Sequence, residues 1–152
     1  MDQIKDIVNF LAIETNLTTS GQPTEAQLAA LAREGCEVIV NLALHDDPRY
    51  SLPDETALVA SLGMNYIHIP VQFDAPRQSD LEAFFEAMES NQGKKMHVHC
   101  AANMRVSAFL GLYFHIRLGR SKDAAFAPLR SIWEPDAVWS AFITDMLSAY
   151  AG

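Results

Sequence analysis

Residues 94–109 read KKMHVHCAANMRVSAF, and the change of character inside this stretch decides the fold. KKMHVHC at 94–100 is a short apolar run that fits a strand buried on both faces. Small and polar residues follow as a loop, and RVSAFLGLYFHIRLG then fits a long buried helix ended by Gly119. Strand, loop and helix in this order form one step of an alternating chain. The step recurs upstream, where EVIVNLAL at 37–44 and NYIHIPV at 65–71, interrupted by Pro70, read as two more strands. Helices are expected at 54–62, closed by Gly63, and at 80–90, capped by Ser79 and stopped by Gly93. Residues 2–12 carry Ile4, Ile7, Val8 and Leu11 at helical spacing, TTSGQP reads as turn, and TEAQLAALARE is a helix capped by Thr24 and ended by Gly35. Two further helices are expected at 121–132 and 135–150. The pattern implies an α/β fold of three α/β/α layers around a mainly parallel central sheet.

The chain has 152 residues and 16.8 kDa, with no repeat and no linker composition, so a single domain over 1–152 is expected. Hydrophobic residues make up 49% and charged residues 20%, which excludes the disordered class. Eleven Lys plus Arg face nineteen Asp plus Glu, a formal charge of −8 and a pI near 4.9. That balance argues against nucleic-acid and anionic-membrane binding, and an anionic ligand would need a local positive site. Cys36 and Cys100 could form at most one bridge, so a reducing compartment is the simpler reading. MDQIKDIVNFLA carries Asp2 and Asp6 where a secretion signal would be basic, and no apolar run approaches the roughly twenty residues of a membrane span. A cytoplasmic protein is expected. Trp133 and Trp139, with Phe142, Ile143, Met146 and Leu147, are spaced as helix faces for the core or for a homodimer contact.

Cys100 sits where such a fold does its chemistry, at the carboxyl end of a strand. A thiol before a helix N-terminus feels free backbone N–H groups and the positive end of the helix dipole, and Arg105 adds a charge. The same donors would cradle an oxyanion, so one site offers a nucleophile beside an anion clamp. Cys36 precedes a buried strand with no cation nearby, and packing is its expected role. His97 and His99 share a strand face and invite a metal reading with Cys100, but no fourth ligand is evident. No metal and no cofactor are expected. His45, His68 and His115 have no assignable role, and Asp74 in FDAP suits a turn with or without chemistry.

His99, Cys100, Arg105 and Ser107 resemble the His-Cys loop of cysteine-dependent protein tyrosine and dual-specificity phosphatases. TSGQPTEAQLAALAREGCEVIVNL and GMNYIHIPVQFDAP extend the resemblance to a bacterial phosphatase-like family also found fused to β-lactamase-like hydrolase domains, over residues 18–118. The resemblance implies a phosphotyrosine-phosphatase-like fold and a phosphorylated or other anionic substrate. It also implies roles. The Cys100 thiolate attacks phosphorus, Arg105 and the loop residues Ala101, Ala102, Asn103 and Met104 bind the phosphoryl oxygens, and Ser107 helps expel the cysteine. His99 hydrogen-bonds the loop. Asp74, 26 residues before Cys100, becomes the general acid, with Asp46 and Asp47 as weaker alternatives.

The chain departs from that pattern in one respect. The family places five residues between Cys and Arg, and here only Ala101, Ala102, Asn103 and Met104 intervene. Either the loop is one residue short, or it keeps its length with Val106 in the arginine position and Arg105 aimed elsewhere. Asn103 stands near the usual glycine and tolerates a left-handed backbone better than most residues. The short interval also resembles the loop of rhodanese-type sulfurtransferases. Sulfur transfer through a Cys100 persulfide therefore stays open, as does a pseudophosphatase that binds anions without turnover.

Overall fold

A computed structural model of the chain describes residues 3–45 and 51–151. Its strands are β1 (Leu11–Glu14), β2 (Leu17–Ser20), β3 (Val38–Asn41), β4 (Asn65–His68) and β5 (Met96–His99). They form one sheet in the order β1-β2-β5-β3-β4, in which only β1 runs antiparallel to its neighbour. The helices are α1 (Glu25–Arg33), α2 (Glu55–Ser61), α3 (Gln78–Ser90), α4 (Met104–Ile116), α5 (Lys122–Ala125), α6 (Ala127–Ile132) and α7 (Ala137–Ala149). Among the described residues no helix is long and apolar enough to cross a membrane.

Strand side chains alternate between two faces, and each face has its own helical cover. Val38, Val40, Met96 and Val98 point into the larger core with Leu81, Phe84, Phe109, Leu112 and Trp139 from α3, α4 and α7. Ile39 points the other way, onto Leu28, Leu31 and Val59 from α1 and α2 and onto Ile7. These are the expected three layers around a mainly parallel sheet. Trp139, Phe142 and Met146 are buried, so the aromatic faces of the last helix belong to the core.

Several local expectations need correction. Residues 2–12 do not form a helix: a short 3-10 turn covers Gln3–Asp6, Asn9 takes a left-handed φ of 52°, and the chain enters β1. The helical spacing of Ile4, Ile7 and Val8 is the accident of a compact turn. Thr18, Thr19 and Ser20, read as turn, belong to β2, which lies inside the sheet between β1 and β5. Ser79 is not a cap, since α3 begins at Gln78 and the Asp80 carboxylate accepts from the Arg77 N–H at 3.1 Å. The expected helix at 121–132 is two short ones that meet at Phe126, with Pro128 in the first turn of α6.

β2 tolerates burial because its hydroxyls have a partner in the neighbouring strand. His97 is fully enclosed, with Thr18 Oγ1 2.7 Å from Nδ1 and Ser20 Oγ 2.7 Å from Nε2. Ser20 spends its only hydrogen on Gly21 O, so it must accept from Nε2–H, which leaves Nδ1 to accept from Thr18. This bonding defines a neutral imidazole. Burial, reinforced by His99, accordingly holds His97 well below the usual 6.5. The unfolded chain takes up a proton near 6.5 that the folded chain refuses, so this contribution to stability is whole above that value and is lost as pH falls below it. The urea midpoint is expected to drop between about pH 7 and about pH 5, and His97→Gln is expected to flatten that slope; an unchanged slope in the variant would count against this account.

Candidate active site

Cys100 follows β5 directly and is 1% exposed, with its N–H on Ser20 O at 3.3 Å. α4 starts at Met104, so only four residues, Cys100 to Asn103, bridge strand and helix. The turn is made by Asn103 at φ 66° and ψ 7°, the left-handed conformation that asparagine accepts and most residues avoid. Its amide donates to Asn9 O at 2.9 Å and Thr19 Oγ1 at 3.0 Å, which locks the corner.

The loop carbonyls are tied from behind. Cys100 O lies 3.3 Å from His99 Nδ1, Ala101 O accepts from the Gln22 N–H at 3.0 Å, and Ala102 O accepts from Asn9 Nδ2 at 2.8 Å. No peptide among the described residues is cis, so each carbonyl and the amide that follows it point in opposite directions. The Ala102 N–H is thereby turned away from Gln22, and the Ala101 N–H away from the His99 ring. Gly21 makes this possible, because a methyl there would collide with Ala101 O and Val8 Cγ1. On the Gln22 side a cleft of about 680 Å³ runs along the loop, walled by Val8, Pro23, Ala26 and Leu52.

Arg105 leaves the first turn of α4 and is 8% exposed. Its Nη1 donates to Val71 O at 2.8 Å, its guanidinium sits 5.7 Å from the centre of the Phe73 ring, and its Nε is buried without a hydrogen-bond partner among the described residues. Val106 lies in the core. Phe73 O in turn accepts from Trp139 Nε1 at 2.7 Å. The segment that carries Asp74 is thus held by α4 and α7 on either side of Phe73, while Asp74 itself stands exposed in the Gln72–Ala75 turn. Ser107 donates to Met104 O at 3.0 Å and accepts from Trp133 Nε1 at 3.2 Å, so its hydroxyl hydrogen is used within α4.

Two residues that matter most to this geometry went unread in the sequence. His99 Nε2 lies 2.7 Å from Glu55 Oε2, and both side chains are fully buried. Gln22 Nε2 donates to Glu55 Oε1 at 2.8 Å. Burial alone would raise the Glu55 pKa, but the His99 hydrogen bond and charge and the Gln22 amide outweigh it and hold the carboxyl below 4.5. A glutamate 44 residues from its partner, opening a helix, carries no local signal of that role. Asp46, Asp47 and Arg49 lie outside the described residues. Cys36 donates to Val38 O, and burial pushes its thiol up to about 11, which makes it an inert packing group. Among the described residues no cluster of His, Cys, Asp and Glu is arranged to hold a metal ion.

A cysteine at the head of a tied loop, between the central strand of a parallel sheet and a buried helix, defines the fold of the tyrosine and dual-specificity phosphatases. A family model described as a DSP-PTPase phosphatase fused to NAD+ kinase matches residues 3–131, and the chain belongs to that family. A DUF442 protein of Shewanella putrefaciens CN-32 superposes with a TM-score of 0.86 at 33% identity, over 98% of this chain and 97% of that one. TpbA of P. aeruginosa shares the fold at 17% identity, with a TM-score of 0.70 over 95% and 91% of the two chains. The beta-lactamase hydrolase-like protein of Xylella fastidiosa (strain Temecula1) is 29% identical over 100 residues, which is 64% of this chain and 23% of that protein. The chain therefore spans about a quarter of that relative's length.

The back of the loop should be sensitive to volume. Gly21→Ala is expected to cost about 1–3 kcal/mol and lower the thermal midpoint, because either the loop or the 3-10 segment must move. A variant as stable as the parent would remove Gly21 as the reason for the close approach.

Proposed function

We propose that this chain is a cysteine-dependent phosphatase acting on a phosphomonoester, with Cys100 as nucleophile and the amides of the following loop as phosphoryl ligands. The observation that carries the reading is the contact of the Cys100 and Ala101 carbonyls with His99 and Gln22, which turns the next two amides away from those partners. In the first step the thiolate sulfur bonds to phosphorus as the ester oxygen leaves, and Asp74 gives that oxygen a proton. In the second step water, deprotonated by the Asp74 carboxylate, displaces the sulfur and releases phosphate. Arg105 fits an anion ligand through its unpartnered Nε. Ser107 supports the departing sulfur once its hydroxyl rotates from Met104 O.

A second reading is favoured by one contact. Arg105 Nη1 donates to Val71 O, which leaves the Nε–Nη2 edge for a bidentate grip on phosphate, and a protein in which that contact holds the guanidinium toward Val71 and away from the loop binds anions without turning them over. Aryl phosphate is the first substrate class to assay, since TpbA is solved in complex with pTyr.

Turnover of an aryl phosphate by the wild-type protein is expected to fall roughly a thousandfold or more in Cys100→Ser and about a hundredfold in Asp74→Asn. Phosphate binding without turnover at any pH would establish the second reading instead. A persulfide on Cys100 after thiosulfate treatment, passed on to cyanide, would replace both with sulfur transfer.

A further inference from the structure

Glu55 is a fully buried carboxylate at the start of α2, and its two oxygens do separate work. Oε2 holds His99 Nε2, while His99 Nδ1 faces Cys100 O. Oε1 holds the Gln22 side chain, while the Gln22 backbone N–H holds Ala101 O. Both oxygens therefore lead to the loop within one residue, and each chain of contacts ends on a carbonyl whose following amide faces the anion side. His99 has an acceptor at each ring nitrogen, an arrangement that only a doubly protonated imidazole satisfies in full.

We propose that Glu55 is the positioning residue of the Cys100 loop, its single buried charge fixing His99 and Gln22 and through them the direction of the Ala101 and Ala102 amides. The inference rests on the reading of that loop as the anion site. The neighbouring histidines do not compete with His99 for Glu55. His97, its ring centre 6.3 Å away, is neutral by its own bonding to Thr18 and Ser20. On the other side Tyr66 faces Glu55, and the Tyr66 hydroxyl takes hydrogen bonds from Asn41 at 3.0 Å and lies 2.9 Å from His45 Nε2. Burial, and His68 stacked on His45 with ring centres 4.2 Å apart, hold His45 below its ordinary value. The Glu55 charge is thus left to His99.

Neither half of the test needs turnover. The first uses the wild-type protein with ¹⁵N-labelled histidine. His99 Nε2 is expected to carry its proton in the hydrogen bond to Glu55, and an unprotonated Nε2 overturns the proposal. The second uses inorganic phosphate to protect Cys100 from iodoacetamide, read by peptide mass spectrometry. Glu55→Gln is expected to need about tenfold more phosphate for half protection, as is Gln22→Met to a smaller degree. Val59→Ala, a cavity beneath the same helix, loosens α2 without touching the network and is expected to leave that concentration unchanged. If Glu55→Gln and Val59→Ala move it equally, Glu55 is a packing residue and the proposal falls. If Glu55→Gln does not fold, Gln22→Met and the His99 resonances decide. Should phosphate fail to protect even the wild-type protein, the anion reading of the loop fails, and this inference with it. Protection without turnover would overturn only the phosphatase activity.

Discussion

The loop after Cys100 can leave its amides free only because its carbonyls are held by other partners. A peptide carries donor and acceptor at opposite edges, so a concave row of N–H groups must have a convex row of C=O groups behind it that also needs partners. Here the partners are His99 from β5, the Gln22 backbone just beyond β2, and the Asn9 side chain from the turn before β1. The demand reaches far into the fold. It requires β2 to lie beside β5, Gly21 to lack a side chain, and a charge at Glu55 to keep a histidine and a glutamine in place without access to water.

Arg105 connects this loop to the segment that carries Asp74. Its guanidinium reaches Val71 O and the Phe73 ring, and Trp139 reaches Phe73 O from α7. Between Cys100 and Arg105 the chain turns at the left-handed corner of Asn103, α4 starts at Met104 and Val106 lies in the core. Ser107 lies within the helix, bonded to Met104 and Trp133. The register of α4 thus decides which side chain meets the neighbouring loop and which the core.

The alternation of strands and helices was legible from β3 onward because Ile39, Val40, Val98 and their neighbours are apolar on both faces, which only a strand between two layers requires. The hairpin of β1 and β2 was not. Thr18, Thr19 and Ser20 look like turn residues until His97 and Asn103 are seen to bond them, and those partners are more than seventy residues away. The same distance explains the site. Cys100 and its loop were readable because a strand end and a helix start are local features, and the left-handed asparagine followed from its chemistry. Glu55, Gln22 and Asn9 were not readable as members, because each earns its place through long-range hydrogen bonds. The direction of Arg105 could not be read either, since two registers of α4 fit the same letters.

The strand order has a consequence for how the chain is made. β5 is the last strand in sequence, yet it occupies the middle of the sheet with β2 on one side and β3 on the other. Before Met96–His99 arrives, β1 with β2 and β3 with β4 are separate two-stranded pieces, each with an open parallel edge and neither large enough to stand alone. The strand that closes the gap is also the one that delivers Cys100. Nascent chains therefore acquire a continuous sheet and the Cys100 loop in the same event, and a chain stalled before that point exposes two adhesive edges and lacks that loop.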